Sequence, residues 1–330
     1  MTTVESTTFW HCVPTTNLPN AIDICFYIFE AMGLFLNTLV LVGLSKAHPI
    51  PRTSLILLRF ISAFCLLTAF MNFLEKVYPY SWRSHNYHFD RLVCIFWKSR
   101  FFYWIFVVMG AHYLVFFCLD RLAMIEDLKS YKTMVEENRI LSYHITALIS
   151  GLLLTSPQIL TVNVQGDTCD CAPTRVNIPF LSVIYAHVYV WFVLMFVLVS
   201  SVLALVCYKL VKAVRDASGH NRTDDLCLMT LEAQAFVKGV HSAPPLGWRS
   251  ASMCILPLAL SYSITFAYDC IYQFLSALNL TTFIINSPQQ QVGALLLVVN
   301  TSLVPCILLL YIPALRSFVL LVLRKMRLRK

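Results

Sequence analysis

Most residues of this chain that could do chemistry stand inside apolar runs. Asp120 and Arg121 are adjacent at the end of a long, mostly apolar stretch. An arginine so close to hydrocarbon needs a counter-charge, and Asp120 beside it can hold it. Asp269 lies in another apolar run, where a carboxylate costs about 2.5–3.5 kcal/mol on the insertion scale. It should therefore face a partner or water; the alternative is a solvated position nearer the outer interface. Glu30 and Arg59 raise the same question in two further runs. His112, His144 and His187 are single histidines on separate segments, expected to hydrogen-bond rather than to ligate a metal. Paired catalytic patterns such as His-x-x-x-His or Gly-x-Asp do not occur on the inner halves of these runs. No metal, no cofactor and no enzymatic activity are expected.

The elements that position these residues follow from composition. Hydrophobic residues make up 58% of the 330 positions and charged residues 13%, and the mean hydropathy is +0.70. A soluble domain carries about 25% charged residues. In lipid the apolar surface needs no covering, and helices satisfy their own backbone polar groups. At roughly 20 residues per crossing, seven spans are expected, at about 22–45, 54–76, 94–123, 140–163, 178–212, 251–278 and 290–313. The fold class is an all-α membrane protein, a bundle of seven transmembrane helices. Residues 1–21 form a polar tail with no signal-peptide pattern, 22–313 the bundle with its third cytosolic loop at about 213–250, and 314–330 a short basic amphipathic helix.

The net charge of +8 is distributed as topology, not as a nucleic-acid surface. Eighteen of the 25 Lys and Arg fall on one side of the spans, six on the other, and Arg59 lies within the second span. The positive-inside rule then puts the amino terminus outside and the carboxy terminus in the cytosol. Cys94, Cys169 and Cys171 come to the oxidising face, where Cys94 can bridge either loop cysteine and the other can reach Cys12. Cys25, Cys65, Cys118, Cys207, Cys254, Cys270 and Cys306 are expected to be buried thiols. Of the three Asn-x-Ser/Thr sequons, only the one at Asn279 falls outside.

Several motifs resemble those of rhodopsin-like G-protein-coupled receptors. Asp120-Arg121-Leu122 resembles the Asp-Arg-Tyr signature, with Leu122 in place of Tyr. Gly33 to Val40 is similar to the Gly-Asn-x-x-Val element, with Asn37 as its interhelical amide. Asn300-Thr301-Ser302-Leu303-Val304-Pro305 keeps part of the Asn-Ser-x-x-Asn-Pro-x-x-Tyr pattern, and Tyr208 matches the switch tyrosine of the fifth span. The resemblance implies that Arg121 is released on activation to contact a heterotrimeric G protein, with Asp120, Tyr208, Asn300 and Pro305 taking part. Departures are many. Phe64 and Val304 stand where the family's sodium pocket has polar groups, the fourth span lacks its Trp and the fifth its Pro. In the sixth span two registers are open. Cys254-Ile255-Leu256-Pro257 resembles Cys-Trp-x-Pro without the Trp; alternatively Pro257 opens the helix and Asp269 sits mid-membrane, which is the favoured register. Phe73 to Pro79, with Tyr103-Trp104, resembles orphan receptors of flatworms.

By the same resemblance a ligand enters from outside and meets Tyr103, Trp104, Val107, Trp191, Asp269, Tyr272 and Gln273, with Tyr189 and Glu75 nearby. Tyr103 occupies the place of the amine-binding Asp, so a peptide or other amphipathic ligand is expected and an amine is not. The basic cluster from Arg316 to Lys330 is expected to lie on anionic lipid of the inner leaflet, in a multi-pass protein of the plasma membrane. The competing expectation is a seven-helix transporter or channel, which would need a continuous polar path. If the orientation is right, Asn279→Gln removes one glycan, and the protein made in eukaryotic cells gains the mobility that glycosidase treatment gives the wild type. Unchanged mobility contradicts the assignment.

Overall fold

The computed structural model of the chain describes residues 10–12, 21–48, 52–77, 86–126, 135–165, 168–171, 178–216, 230–231, 251–285 and 287–327. Among them, seven helical segments are long and apolar enough to cross a membrane: Ala21–Ser45, Thr53–Val77, Tyr87–Met124, Glu136–Leu160, Ser182–Arg215, Ser252–Ala277 and Pro288–Tyr311. They coincide with the seven runs expected from hydropathy.

The first two spans are α1 (Ala21–Ser45) and α2 (Arg52–Val77). The third is not one helix. It divides into α3 (Tyr87–Lys98) and α4 (Phe101–Ile125), with Arg100 between them at φ 58°. Asn86 caps α3 by accepting from the His88 and Phe89 amides, so the helix begins well before Cys94, where the span was expected to open. The fourth span, α5 (Glu136–Thr155), ends in a 3-10 turn at Ser156–Thr161 that contains Pro157. The fifth comprises α6 (Ile178–Trp191), a π-helical turn Phe192–Leu198, and α7 (Val199–Asp216). The sixth is α8 (Ile255–Ala277), introduced by a 3-10 turn at Ala251–Cys254. Pro257 falls in the first turn of α8, where its missing N–H breaks no ladder bond, in the register that was favoured. The seventh is α9 (Pro288–Tyr311), and α10 (Pro313–Arg327) follows.

The described strands are short. Trp10–Cys12 (β1) runs parallel to Phe283–Ile285 (β6), Ala47–His48 (β2) pairs with Thr230–Leu231 (β5), and Val162–Gln165 (β3) with Thr168–Cys171 (β4) is a hairpin packed on α3. Most of the expected third cytosolic loop, the sequon at Asn221 and residues 328–330 lie outside the described residues.

α4 stands at the centre of the packing, touching α2, α5 and α7, while α1, α2 and α9 pack mutually and α8 joins α7 to α9. Lipid offers no hydrophobic drive between helices, so close approach depends on small residues. A Cβ on Gly33 would come within 3.2 Å of Ser302 Oγ, and one on Gly43 within 2.8 Å of Leu315. The second contact seats α10 on α1, with Leu315 and Phe318 buried.

Pro305 explains the deepest polar bond of this cluster. Its ring removes the N–H that would bond the carbonyl four residues back, which is that of Thr301. Asn37 Nδ2 donates to the Thr301 carbonyl at 2.8 Å, and also to Gly33 at 2.8 Å. Asn37→Ala should cost about 1–2 kcal/mol of unfolding free energy in detergent. In a Pro305→Ala background the restored N–H satisfies Thr301, so the same change should cost markedly less. An equal loss in both backgrounds would sink this account.

Candidate functional site

Polar side chains gather in two layers, one at each end of the bundle. The Arg121 end is the inner one in the orientation implied by the charge count. There α4 turns Asp120 and Arg121 inward, 0% and 2% exposed. The Ser54 hydroxyl of α2 donates to Asp120 Oδ2 at 2.7 Å and accepts from Arg121 Nη1 at 3.4 Å, so one serine bridges the pair. Arg121 Nη2 donates to Ser252 Oγ at 3.0 Å, which ties helix three to the turn opening α8. Arg139 on α5 adds a cation, with Nε 3.7 Å from Asp120 Oδ1 and Nη2 donating to Thr53 Oγ at 2.8 Å. Thr53 in turn donates to Glu136 at 2.7 Å. Two acids and two arginines thus share one buried hydroxyl network.

Between the layers the bundle has an apolar waist. A cavity of about 40 Å³ lies there, lined by Phe64, Thr68, Val107, Tyr262, Asn300 and Val304 among others, and no lining residue is acidic or basic. Thr68 and Asn300 supply polar partners, and the volume suits roughly two or three waters. Asn300 accepts from Ser261 at 2.7 Å, and the buried Tyr262 hydroxyl donates to the Met195 carbonyl in the π-helical turn at 2.6 Å. Both bonds attach α8 to its neighbours.

The outer layer surrounds the break in helix three. Arg100 holds the left-handed backbone conformation, which costs a residue with a Cβ roughly 1–2 kcal/mol. That conformation aims the side chain inward: Arg100 Nε lies 2.6 Å from Glu75 and the guanidinium 4.2 Å from the Tyr103 ring centre. Arg100 also bonds Asn72, whose amide donates to Glu30 of α1. Nearer the rim Lys76 pairs with Asp23 at 2.9 Å. On α8, Asp269 is 5% exposed and accepts from Gln273 at 2.9 Å. The rings of Tyr103, Trp104 and Trp191 meet edge to face at 5.2 and 5.5 Å.

The expected ligand residues therefore divide. Tyr103, Trp104, Trp191, Asp269 and Gln273 belong to the outer layer, and Val107 lies one turn deeper on the cavity. Tyr272 is at the rim, donating to the Thr282 carbonyl at 3.0 Å. Tyr189 is exposed against Phe274. Tyr208 stands away from Arg121, 68% exposed, because α7 turns Leu203, Val206 and Leu210 inward and carries Tyr208 on the opposite face. Asn279 is exposed at φ 58°, as the left-handed residue closing α8, with Leu280 bonded back to the Leu275 carbonyl. Cys94 is buried on α3 and is not among the seven thiols of the described residues, of which Cys65, Cys118, Cys254 and Cys270 are buried as expected while Cys25, Cys207 and Cys306 are only half-buried. The side chains of Cys169, Cys171 and Cys12 lie outside those described.

Sequence reasoning missed Arg100 and Arg139, counting both as loop charges that set topology. Each had a signal, for Arg100 lies three residues before Tyr103 and Arg139 within one turn of the fourth apolar run. Arg59 was flagged, and its role is structural: it donates to the Leu44 carbonyl at 3.0 and 2.7 Å and so caps α1. His112 and His144 bond carbonyls on their own helices at 2.8 and 2.9 Å. Among the described residues no three His, Cys, Asp or Glu side chains converge as a metal site.

Breaking one side of a buried ion pair strands the other charge. Arg100→Gln and Glu75→Gln should each lower the unfolding midpoint, and the double variant should lose less than their sum, with a coupling of about 1 kcal/mol or more. Strict additivity would mean that the pair adds nothing. No protein-family model matches this chain and a search of curated proteins finds no match, so its function is to be argued from this arrangement.

Proposed function

We propose that the chain is a divergent rhodopsin-like G-protein-coupled receptor of the plasma membrane. An extracellular ligand binds in its outer layer, and a heterotrimeric G protein engages its inner end through Arg121. The observation that carries this reading is the bond from Arg121 to Ser252. A buried guanidinium on the third span is tied to the sixth span through the Ser252 hydroxyl, so a small outward shift of the sixth span would break that tie. A hydrogen bond from a charged group is worth about 1.5–3 kcal/mol, a hold that ligand binding can overcome.

Other features fit. Pro305 with Asn37, the π-helical turn held by Tyr262, and the seat of α10 on α1 at Gly43 give the bundle hinges and a fixed base. Cys94 bridging Cys169 or Cys171 would fasten the hairpin to α3, and a glycan at Asn279 would stand clear of the bundle. The basic end of α10 would rest on anionic lipid. A transporter is disfavoured because the charged groups occupy the two ends and the lining between them is uncharged.

The test is a cell-based G-protein activation panel on wild type and Arg121→Ala at matched surface expression, without added ligand. Basal signal through one G-protein class should be present and be lost in the variant. A signal that survives the substitution overturns the role of Arg121. Silence of the wild type in every arm, together with measured substrate flux, would favour the transporter.

A further inference from the structure

The outer layer holds more buried acid than base. Lys76 is paired with Asp23 and Arg100 with Glu75. Glu30 and Asp269 remain, on different helices, 0% and 5% exposed. Glu30 meets only the Asn72 amide through one oxygen, and its Oε2 is buried without a hydrogen-bond partner. Asp269 meets only Gln273. Among the described residues neither carboxylate has a Lys, Arg or His at ion-pairing distance, although Arg100 is within electrostatic reach of both and Lys76 of Glu30. Protonation alone would not resolve this at Glu30, because an O–H at Oε2 would lack an acceptor just as an anion there lacks a donor.

The surroundings favour a cation over an apolar or acidic group. The Tyr103 hydroxyl is buried without a hydrogen-bond partner and lies within electrostatic reach of Glu30, Glu75 and Asp269. Trp104 and Trp191 extend the same wall, and the faces of such rings attract ammonium and guanidinium groups. Opposite, α9 presents Gly293, where a Cβ would sit 3.4 Å from Asp269 Oδ1. A larger side chain there would cover the carboxylate.

We propose that Asp269 is the counter-ion for a basic group of the ligand, an alkylammonium or guanidinium such as a Lys or Arg side chain of a peptide. Glu30 deepens the negative field, and Tyr103, Trp104 and Trp191 cover the alkyl stem. Tyr103 on helix three thus leaves recognition of positive charge to helix six. The inference deepens the receptor reading and rests on it only for what the bound ligand then does.

The test uses the purified full chain in nanodiscs and follows the thermal unfolding midpoint against millimolar agmatine and butylamine, with butanol and butyrate as neutral and acidic controls. Both cations should raise the wild-type midpoint by a few degrees and the controls should not. Asp269→Asn should weaken the apparent affinity by about tenfold or more, Asp269→Glu should retain most of it, and Gly293→Val should lose it with the charge intact. No cation-selective shift in the wild type overturns the proposal, as does an equal shift in Asp269→Asn. Should Asp269→Asn not fold, the wild-type selectivity and Gly293→Val decide between the same outcomes. Unfolding midpoints involve no G protein, so this experiment and the Arg121 panel fail independently.

Discussion

A carbonyl that loses its helical partner inside hydrocarbon has no water to turn to, and each unmatched group there costs several kcal/mol. At three places where a span of this chain bends, stops or widens, a side chain from another helix supplies a donor. Pro305 frees the Thr301 carbonyl and Asn37 takes it. α1 ends at Ser45 and Arg59 of α2 reaches Leu44. The fifth span widens into a π-helical turn and Tyr262 donates to Met195. These donors decide which helices lie together, since lipid supplies no hydrophobic force to do so. The requirement to satisfy backbone thus becomes a set of tertiary contacts, α1 with α9, α1 with α2, and α8 with the fifth span.

Those contacts differ in how easily they exchange. The α1–α2–α9 group is locked by close approach at Gly33 and by an amide that answers a proline, neither of which has a second arrangement nearby. Along α8 the ties are hydroxyls: Ser252 from Arg121, Ser261 to Asn300, Tyr262 to Met195 and Ser263 to Ser200. Each is weak, and a water in the central cavity could replace those near the waist. Local stability is uneven in such a bundle. The sixth span is thus tied to its neighbours through single hydroxyl bonds, and the proposed receptor function needs motion there.

The spans were legible because a bilayer imposes one length and one polarity on them, and hydropathy reads both. The favoured register of the sixth span could be chosen because the Cys-x-x-Pro match leaves too many residues before Pro305, whereas Pro257 suits a first turn. The irregularities were not legible. Arg100 adopts a left-handed conformation with no Gly or Pro to announce it, and the π-helical turn lies in an apolar run without proline. Tyr208 matches a motif by spacing, yet two positions on α7 separate it from the inward face. The partners of Asp120 include Arg139 and Ser54, residues distant in sequence whose meeting depends on how three helices pack. Motif spacing locates the backbone position; the facing helix decides what the side chain touches.

The two polar layers answer the burial of charge in opposite ways. The inner one is balanced, with Asp120 and Glu136 against Arg121 and Arg139 and hydroxyls between them. Such a network is stable as it stands and yields only when a helix moves. The outer one keeps a strained backbone at Arg100 and two carboxylates, Glu30 and Asp269, outside any ion pair among the described residues. Both features destabilise a folded chain, and the strain at Arg100 is offset in part by its ion pair with Glu75. Proteins depart from locally consistent design at sites whose geometry serves something other than folding. The outer layer is such a departure, and its excess negative charge is what the proposed cationic ligand would match.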